Sequence, residues 1–235
     1  MEPDRPNAAN STEIVAPGAV QIEAGIDGQI QGLARKDLFQ VSVPQSIRVG
    51  LVKDVELRIF DGDPVRALEG KLGARQQGEV DVGAKFRLWA REGGAKPSLG
   101  LQWLMIPANR RAGATFRGLL PGLVFIVDIE PGNWHLDFNV GAKLHPTEPG
   151  KCCNLEGSIA ASVGRTFADE RLLVWGELFT RADVDRLALT ELSGDAGVIV
   201  WATRRLAVDA GLLLDRSDDA FVVAALAGLS LRLGR

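Results

Sequence analysis

Among its 235 residues the chain has no tyrosine, two cysteines, two histidines and two methionines, and each scarcity closes a class of explanation. The two histidines, His135 and His145, fall on a strand-like segment and in a loop. They lack the clustered ligand spacing of a metal centre, so neither a metal nor any other cofactor is expected. Cys152 and Cys153 are adjacent and cannot staple distant parts of the chain; the expectation is that they have no structural role, with a vicinal or intermolecular disulfide as the alternative. No apolar run approaches about 18 residues, which excludes a helical membrane span and leaves alternating strands open. The 27 lysines and arginines are interspersed with 30 aspartates and glutamates and form no basic face, so nucleic acid is not an expected partner. Gly93 and Gly94 lack the strand-to-helix context of a phosphate loop. Met1 to Arg5 have neither a basic n-region nor an apolar h-region, and are read as the start of a mature chain whose leader has been removed.

What the chain has is alternation. From Gly132 to Ala142, Trp134, Leu136, Phe138, Val140 and Ala142 alternate with His135, Asp137, Asn139 and Gly141, a period of two that separates oil from polar groups. In a soluble sandwich the oily face would meet a second sheet; in an outer-membrane barrel it would meet lipid. Similar segments recur about twelve times, near 19–30, 37–51, 55–60, 78–90, 97–107, 116–129, 133–143, 154–166, 170–180, 194–203, 205–215 and 219–234. One domain is expected: an irregular N-terminal stretch over 1–18, then an all-β, antiparallel barrel over 19–235. Residues 181–192 could form a short helix, placed in a loop.

The connections argue for a membrane barrel. Short links at 52–54, 91–96, 130–132, 167–169 and near Arg204 alternate with longer polar ones at 61–77, 108–115, 144–153 and 181–192. The link at 216–218 is short where the pattern wants a long one. Transmembrane barrels have short periplasmic turns and long extracellular loops, whereas a sandwich has no reason to segregate them. Phe39, Val41, Ile47, Val49, Leu51, Leu57, Ile59, Val82, Phe86 and Leu88 then face out, and Arg48, Glu56, Arg58, Asp81, Lys85 and Arg87 face in. Trp89, Trp134 and Trp201 stand beside short turns, where an interfacial aromatic belt would lie. Trp175, Glu177 and Trp201 fall where both faces are apolar, and alternation does not assign them a side.

Several stretches resemble the outer-membrane family of transporters of the meta-pathway of phenol degradation. They are Asp4-Arg5-Pro6 with Val15 to Gly25, Ile47 to Leu51 with Val55 to Arg58, Asp81 to Arg87, Leu120 to Leu123, and Gly228 to Leu233. The chain departs from the family in lacking tyrosine and in ending Leu231-Arg232-Leu233-Gly234-Arg235, where such barrels commonly end on an aromatic residue. The resemblance implies a bacterial outer-membrane barrel that follows a cleaved leader and takes up small, often aromatic or apolar, molecules. It also implies a surround of outer-membrane lipid and lipopolysaccharide, and insertion by the barrel-assembly machinery.

Inside such a barrel the charges are unevenly placed. Arg48, Arg58, Lys85 and Arg87 would form a basic wall, and Asp128, His135, Asp137, Glu156 and Asp209 an acidic one. Two readings follow: a transverse field across a narrow pore that selects permeants, or charges that pair and plug the lumen. The second makes the protein a non-conducting structural or interaction barrel. A third, less favoured, is a lipid hydrolase in which Asp128 orients His135 across the hairpin and Ser158 or Ser162 is the nucleophile. The expectation is a channel and not an enzyme.

Overall fold

Strict alternation of apolar and polar side chains requires an extended chain whose two faces meet different surroundings. In the computed structural model of the protein the alternating segments are strands. The structure describes residues 1, 3–4, 9–33, 36–61, 65–67, 74–75, 80–90, 98–107, 119–146, 153–217 and 220–234. Twelve antiparallel barrel strands follow one another along the chain. β1 is Val20–Leu33, and β2 comprises Lys36–Ser42 and Gln45–Val52. β3 is Val55–Asp61 with Val65–Ala67, and β4 is Ala74–Arg75 with Val80–Trp89. β5 is Ser98–Pro107, β6 Leu119–Ile129, β7 Trp134–Pro146 and β8 Cys153–Phe167. β9 is Leu172–Asp183, β10 Ala188–Thr203, β11 Leu206–Ser217 and β12 Ala220–Leu233. β12 pairs back onto β1 from Val20–Leu233 to Gly32–Phe221, so the sheet closes. The break in β2 falls at Pro44, which has no N–H to give the ladder; its carbonyl still accepts the Gly25 N–H at 3.0 Å.

The sidedness is inverted relative to a water-soluble protein. Leu178 and Leu212 are 67% and 62% exposed, while Arg48, Lys85, Glu23 and Glu56 are at most 1% exposed. On β7, Trp134, Leu136, Phe138 and Val140 lie outside, and Asp137 and Asn139 are buried within. Soluble monomers rarely expose a continuous apolar surface of this extent, and fully buried Lys and Arg need partners inside. From Trp134 to Ala142 the outward apolar run covers about 27 Å along the strand, or roughly 20 Å along the axis at a tilt near 40°. That is close to the apolar band, about 25 Å tall, of an outer-membrane barrel. Trp89 and Trp134 are exposed at the short-turn end of the barrel. The guanidinium of Arg165 lies 5.2 Å from the Trp134 ring centroid and 5.2 Å from that of Phe167.

Three local expectations are corrected. Residues 181–192 contain no helix: β9 runs to Asp183, a turn occupies 184–187, and β10 begins at Ala188. The Arg181 side chain bridges Glu191 at 2.9 Å across this hairpin, a cross-strand pair that the i, i+4 spacing of a helix would not make. Trp201 turns inward, where its indole N–H donates to the Met1 carbonyl at 2.9 Å, so it is no part of an exterior belt. Cys153 is disulfide-bonded, which replaces the expectation that the cysteines do nothing; Cys152 lies outside the described residues.

The described residues before β1 form no strand. Ala9, Ser11, Thr12 and Val15 are buried, and they bond to inward side chains of β3, β4, β6 and β9. The N-terminal segment therefore lies inside the barrel, across its short-turn half. Gly50 makes room for its exit, because a Cβ there would collide with the Ala16 carbonyl oxygen.

Candidate functional site

Strands β2, β3 and β4 bring Arg48, Arg58 and Lys85 to one patch of the inner wall. Each occupies an inward position by parity, and the ladders place Arg48 opposite Arg58 and Glu56 opposite Lys85. Three buried cations could not stand together unpaired. They are met by three carboxylates. Arg48 Nε donates to Glu56 at 2.9 Å, and its Nη1 lies 3.2 Å from Asp4 and 3.5 Å from Glu23. Arg58 bonds Asp4 and Gln102, and Lys85 Nζ stands 3.7 Å from both Asp4 and Glu56. Backbone groups of the inserted segment complete the set. The Ser11 and Glu13 carbonyls accept from Lys85 and Arg48 at 3.2 and 3.1 Å, and the Val15 N–H donates to Glu56 at 2.8 Å. Burial alone would raise the Asp4 pKa, but the fields of Arg48, Arg58 and Lys85 hold it far below the usual carboxylate range.

The acidic side is built differently. Register sets Asp137 of β7 directly opposite Asp128 of β6, with Ser162 of β8 on its other flank, then Glu177 of β9 and Asp195 of β10. Four of these five inward, buried positions are carboxylates. Asp128 accepts from the Thr12 N–H at 3.3 Å and the Thr12 hydroxyl at 3.0 Å, and Asp137 accepts from Ser162 at 2.9 Å. Glu177 accepts the Ala9 N–H at 2.6 Å. Asp209 is also buried, on β11 against Gly228.

Sequence reasoning placed Asp128 beside His135. The register instead pairs Asp128 with Asp137, and the His135 ring lies 3.5 Å from Glu130 in the adjoining turn. That hydrogen bond lowers the Glu130 pKa. Ser162 donates to Asp137 and Ser158 lies opposite Gly141, six residues along β7 from His135, so the proposed nucleophile, base and orienting acid do not assemble.

The remaining candidates lie apart from these clusters. Arg87 closes the β2–β3 turn at the rim, 2.6 Å from Asp54. Glu156 belongs to the long-loop half, where it stands 2.9 Å from Lys143 and 3.8 Å from Arg181. Trp175 and Glu177, unassigned from the sequence, both face in. Trp175 packs with Leu173, Ile199 and Ala207 into an apolar cluster that also receives Met1 and Trp201. The inserted segment is thus held by charge on one wall and by oil on the other. Asp4, Glu23, Gln102 and Asp195 are inner residues that the sequence reading missed, whereas alternation along β7 had already put Asn139 inside. The available signal was arithmetic: four inward cations on β2–β4, Arg48, Arg58, Lys85 and Arg87, faced only Glu56 and Asp81 as inward carboxylates and had to find others nearby.

No family model matches the chain, and no curated protein matches it in sequence. Solved structures do match in fold. An outer-membrane channel from Pseudomonas putida F1 is similar with a TM-score of 0.66 and 10% identity, over 99% of this chain and 100% of that one. The NanC porin is similar with a TM-score of 0.66 and 6% identity, over 89% of this chain and 100% of that one. The CymD monoaromatic hydrocarbon channel is similar with a TM-score of 0.53 and 8% identity, over 93% of this chain and 89% of that one. The fold is that of outer-membrane β-barrels.

Proposed function

We propose that the chain is a bacterial outer-membrane channel for small molecules, with the short-turn half of its lumen narrowed by its own N-terminal segment. The observation that carries this reading is the inversion of the barrel, with apolar side chains exposed and Arg48, Lys85, Glu23 and Glu56 wholly buried. Such a wall suits lipid outside and a polar path inside. In this reading the short turns are periplasmic, lipopolysaccharide and outer-membrane lipid cover the apolar belt, and the barrel-assembly machinery inserts the protein. The likeness to CymD, a monoaromatic hydrocarbon channel, supports small aromatic molecules as one permeant class, as does the family resemblance of the sequence.

The ionic cluster around Asp4 favours a second reading, a barrel kept closed by its insert. Planar-bilayer recording of the folded full chain, beside a variant lacking residues 1–14, separates the two. A channel gives small conductance events in the full chain and larger ones after deletion. Silence from both folded proteins would sink the channel reading.

A further inference from the structure

Asp128 and Asp137 oppose each other directly on β6 and β7, 6% and 9% exposed, and no salt bridge reaches either among the described residues. Like charges in direct register repel, and buried charges demand a counter-charge. The donors present account for one oxygen of each carboxylate: Thr12 gives both its bonds to Oδ2 of Asp128, and Ser162 gives its bond to Oδ2 of Asp137. Oδ1 of each carboxylate receives none of these bonds.

A second observation is independent of the carboxylates. Asn139 follows Asp137 on the same inner face and is 4% exposed, and neither its amide oxygen nor its amide nitrogen has a partner. Its cross-strand neighbours are Ile126 and Ala160, both buried and neither able to bond it. An orphaned amide beside two carboxylates that share no ion pair and have, among the described residues, only the His135 ring as a nearby titratable cation offers three oxygens to a positively charged ligand. Among the described residues no three His, Cys, Asp or Glu side chains converge as a metal site requires. Three oxygens fall short of the six or more donors that a divalent cation takes, and two carboxylates with one amide oxygen suit a weakly held, partly hydrated monovalent cation instead.

We propose that Asp128, Asp137 and Asn139 form a binding site for a monovalent cation, either an alkali ion or the ammonium group of a small amine, on the lumen wall beside the inserted segment. As a selectivity element it rests on the channel reading; as a binding site it does not. The charge of the dyad draws the cation in, and the Asn139 oxygen replaces part of its hydration. Thr12 ties the site to the insert, so binding and seating of the insert are coupled.

The test uses thallium(I) as a potassium surrogate, located by anomalous diffraction in crystals of the full chain at mildly alkaline pH. The expected result is a peak bonded to Asp128 and Asp137, lost in Asp137→Asn and weakened severalfold in Asn139→Leu. Displacement of thallium by potassium alone assigns an alkali ion, and displacement by methylammonium assigns an amine. In bilayers, Asp137→Asn lowers the cation-to-anion permeability ratio severalfold. A thallium peak in a protein that never conducts keeps the site and removes the channel. Absence of the peak in the folded wild-type barrel overturns the site, the dyad then holding a shared proton. A normal peak in both folded variants overturns it as well.

Discussion

At the scale of single residues, Asp4 does the most, because among the described residues of the inserted segment it is the one carboxylate that reaches all three cations of the wall. Asp4, Glu23 and Glu56 balance Arg48, Arg58 and Lys85, so losing Asp4 leaves one buried positive charge unmatched. Breaking a buried ion pair from one side costs about 3–5 kcal/mol, and that cost falls on docking of the insert, since the barrel ladders do not involve Asp4. Asp4→Asn is therefore expected to leave a folded barrel whose N-terminal segment is cut by added protease while the wild-type segment resists. Equal protection in the two would refute the role of Asp4. The pH dependence has a definite sign. A carboxylate whose folded pKa is depressed contributes its full stabilisation above the ordinary carboxylate range and loses it only as pH falls through the depressed value. Wild-type protection should hold from about pH 8 to about pH 5, because both lie above that range. Beforehand only the surplus of inward cations was legible: a segment with prolines and no period says nothing about which wall it touches.

At the scale of elements, alternation identified the strands because a period of two has one structural meaning, and it put Arg48, Glu56, Arg58 and Lys85 on the inner face. It failed where both faces are apolar. The inward positions of β9 and β10 near the short turns, Leu173, Trp175 and Ile199, are oil because they grip Met1, an event that strand periodicity cannot encode. Length of polar chain was also a poor guide. Residues 181–192 are polar and look like a loop or helix, yet they extend two strands to a turn at 184–187, with Arg181, Asp183 and Glu191 on the inner face by register and Leu189 and Leu192 exposed outside. The turns can be tested directly. The β8–β9 turn holds Ala168, Asp169 and Glu170 at φ of 53°, 54° and 63°, a left-handed run that L-residues adopt at a cost of roughly 1 kcal/mol each. Replacing Ala168 by glycine removes that cost, offset in part by the freedom glycine adds to the unfolded chain. A gain of up to about 1 kcal/mol in urea-induced unfolding from lipid vesicles is expected. A loss of stability would show that the Ala168 methyl makes a contact outweighing the strain.

At the scale of the whole molecule, the inner and outer surfaces obey opposite rules, and that opposition separates a membrane barrel from a soluble one. If the belt is meant for lipid, the penalty for a charge on it must depend on depth. Phe138 sits near the middle of the outward run of β7, 45% exposed, and Trp134 stands at its edge, 44% exposed. Water would treat an arginine at the two sites alike. Lipid would not: arginine at the midplane of a barrel wall costs about 2–4 kcal/mol and close to nothing up to about 1 kcal/mol near an interface. Phe138→Arg is thus expected to lower the unfolding free energy in vesicles by several times as much as Trp134→Arg. The Trp134 variant also loses its contact with Arg165, which makes the comparison conservative. Gel mobility with and without boiling, together with denaturant titration in vesicles, measures both. Equal and small losses would mean that the exposed belt meets something other than a bilayer, and the channel reading would lose its premise with it.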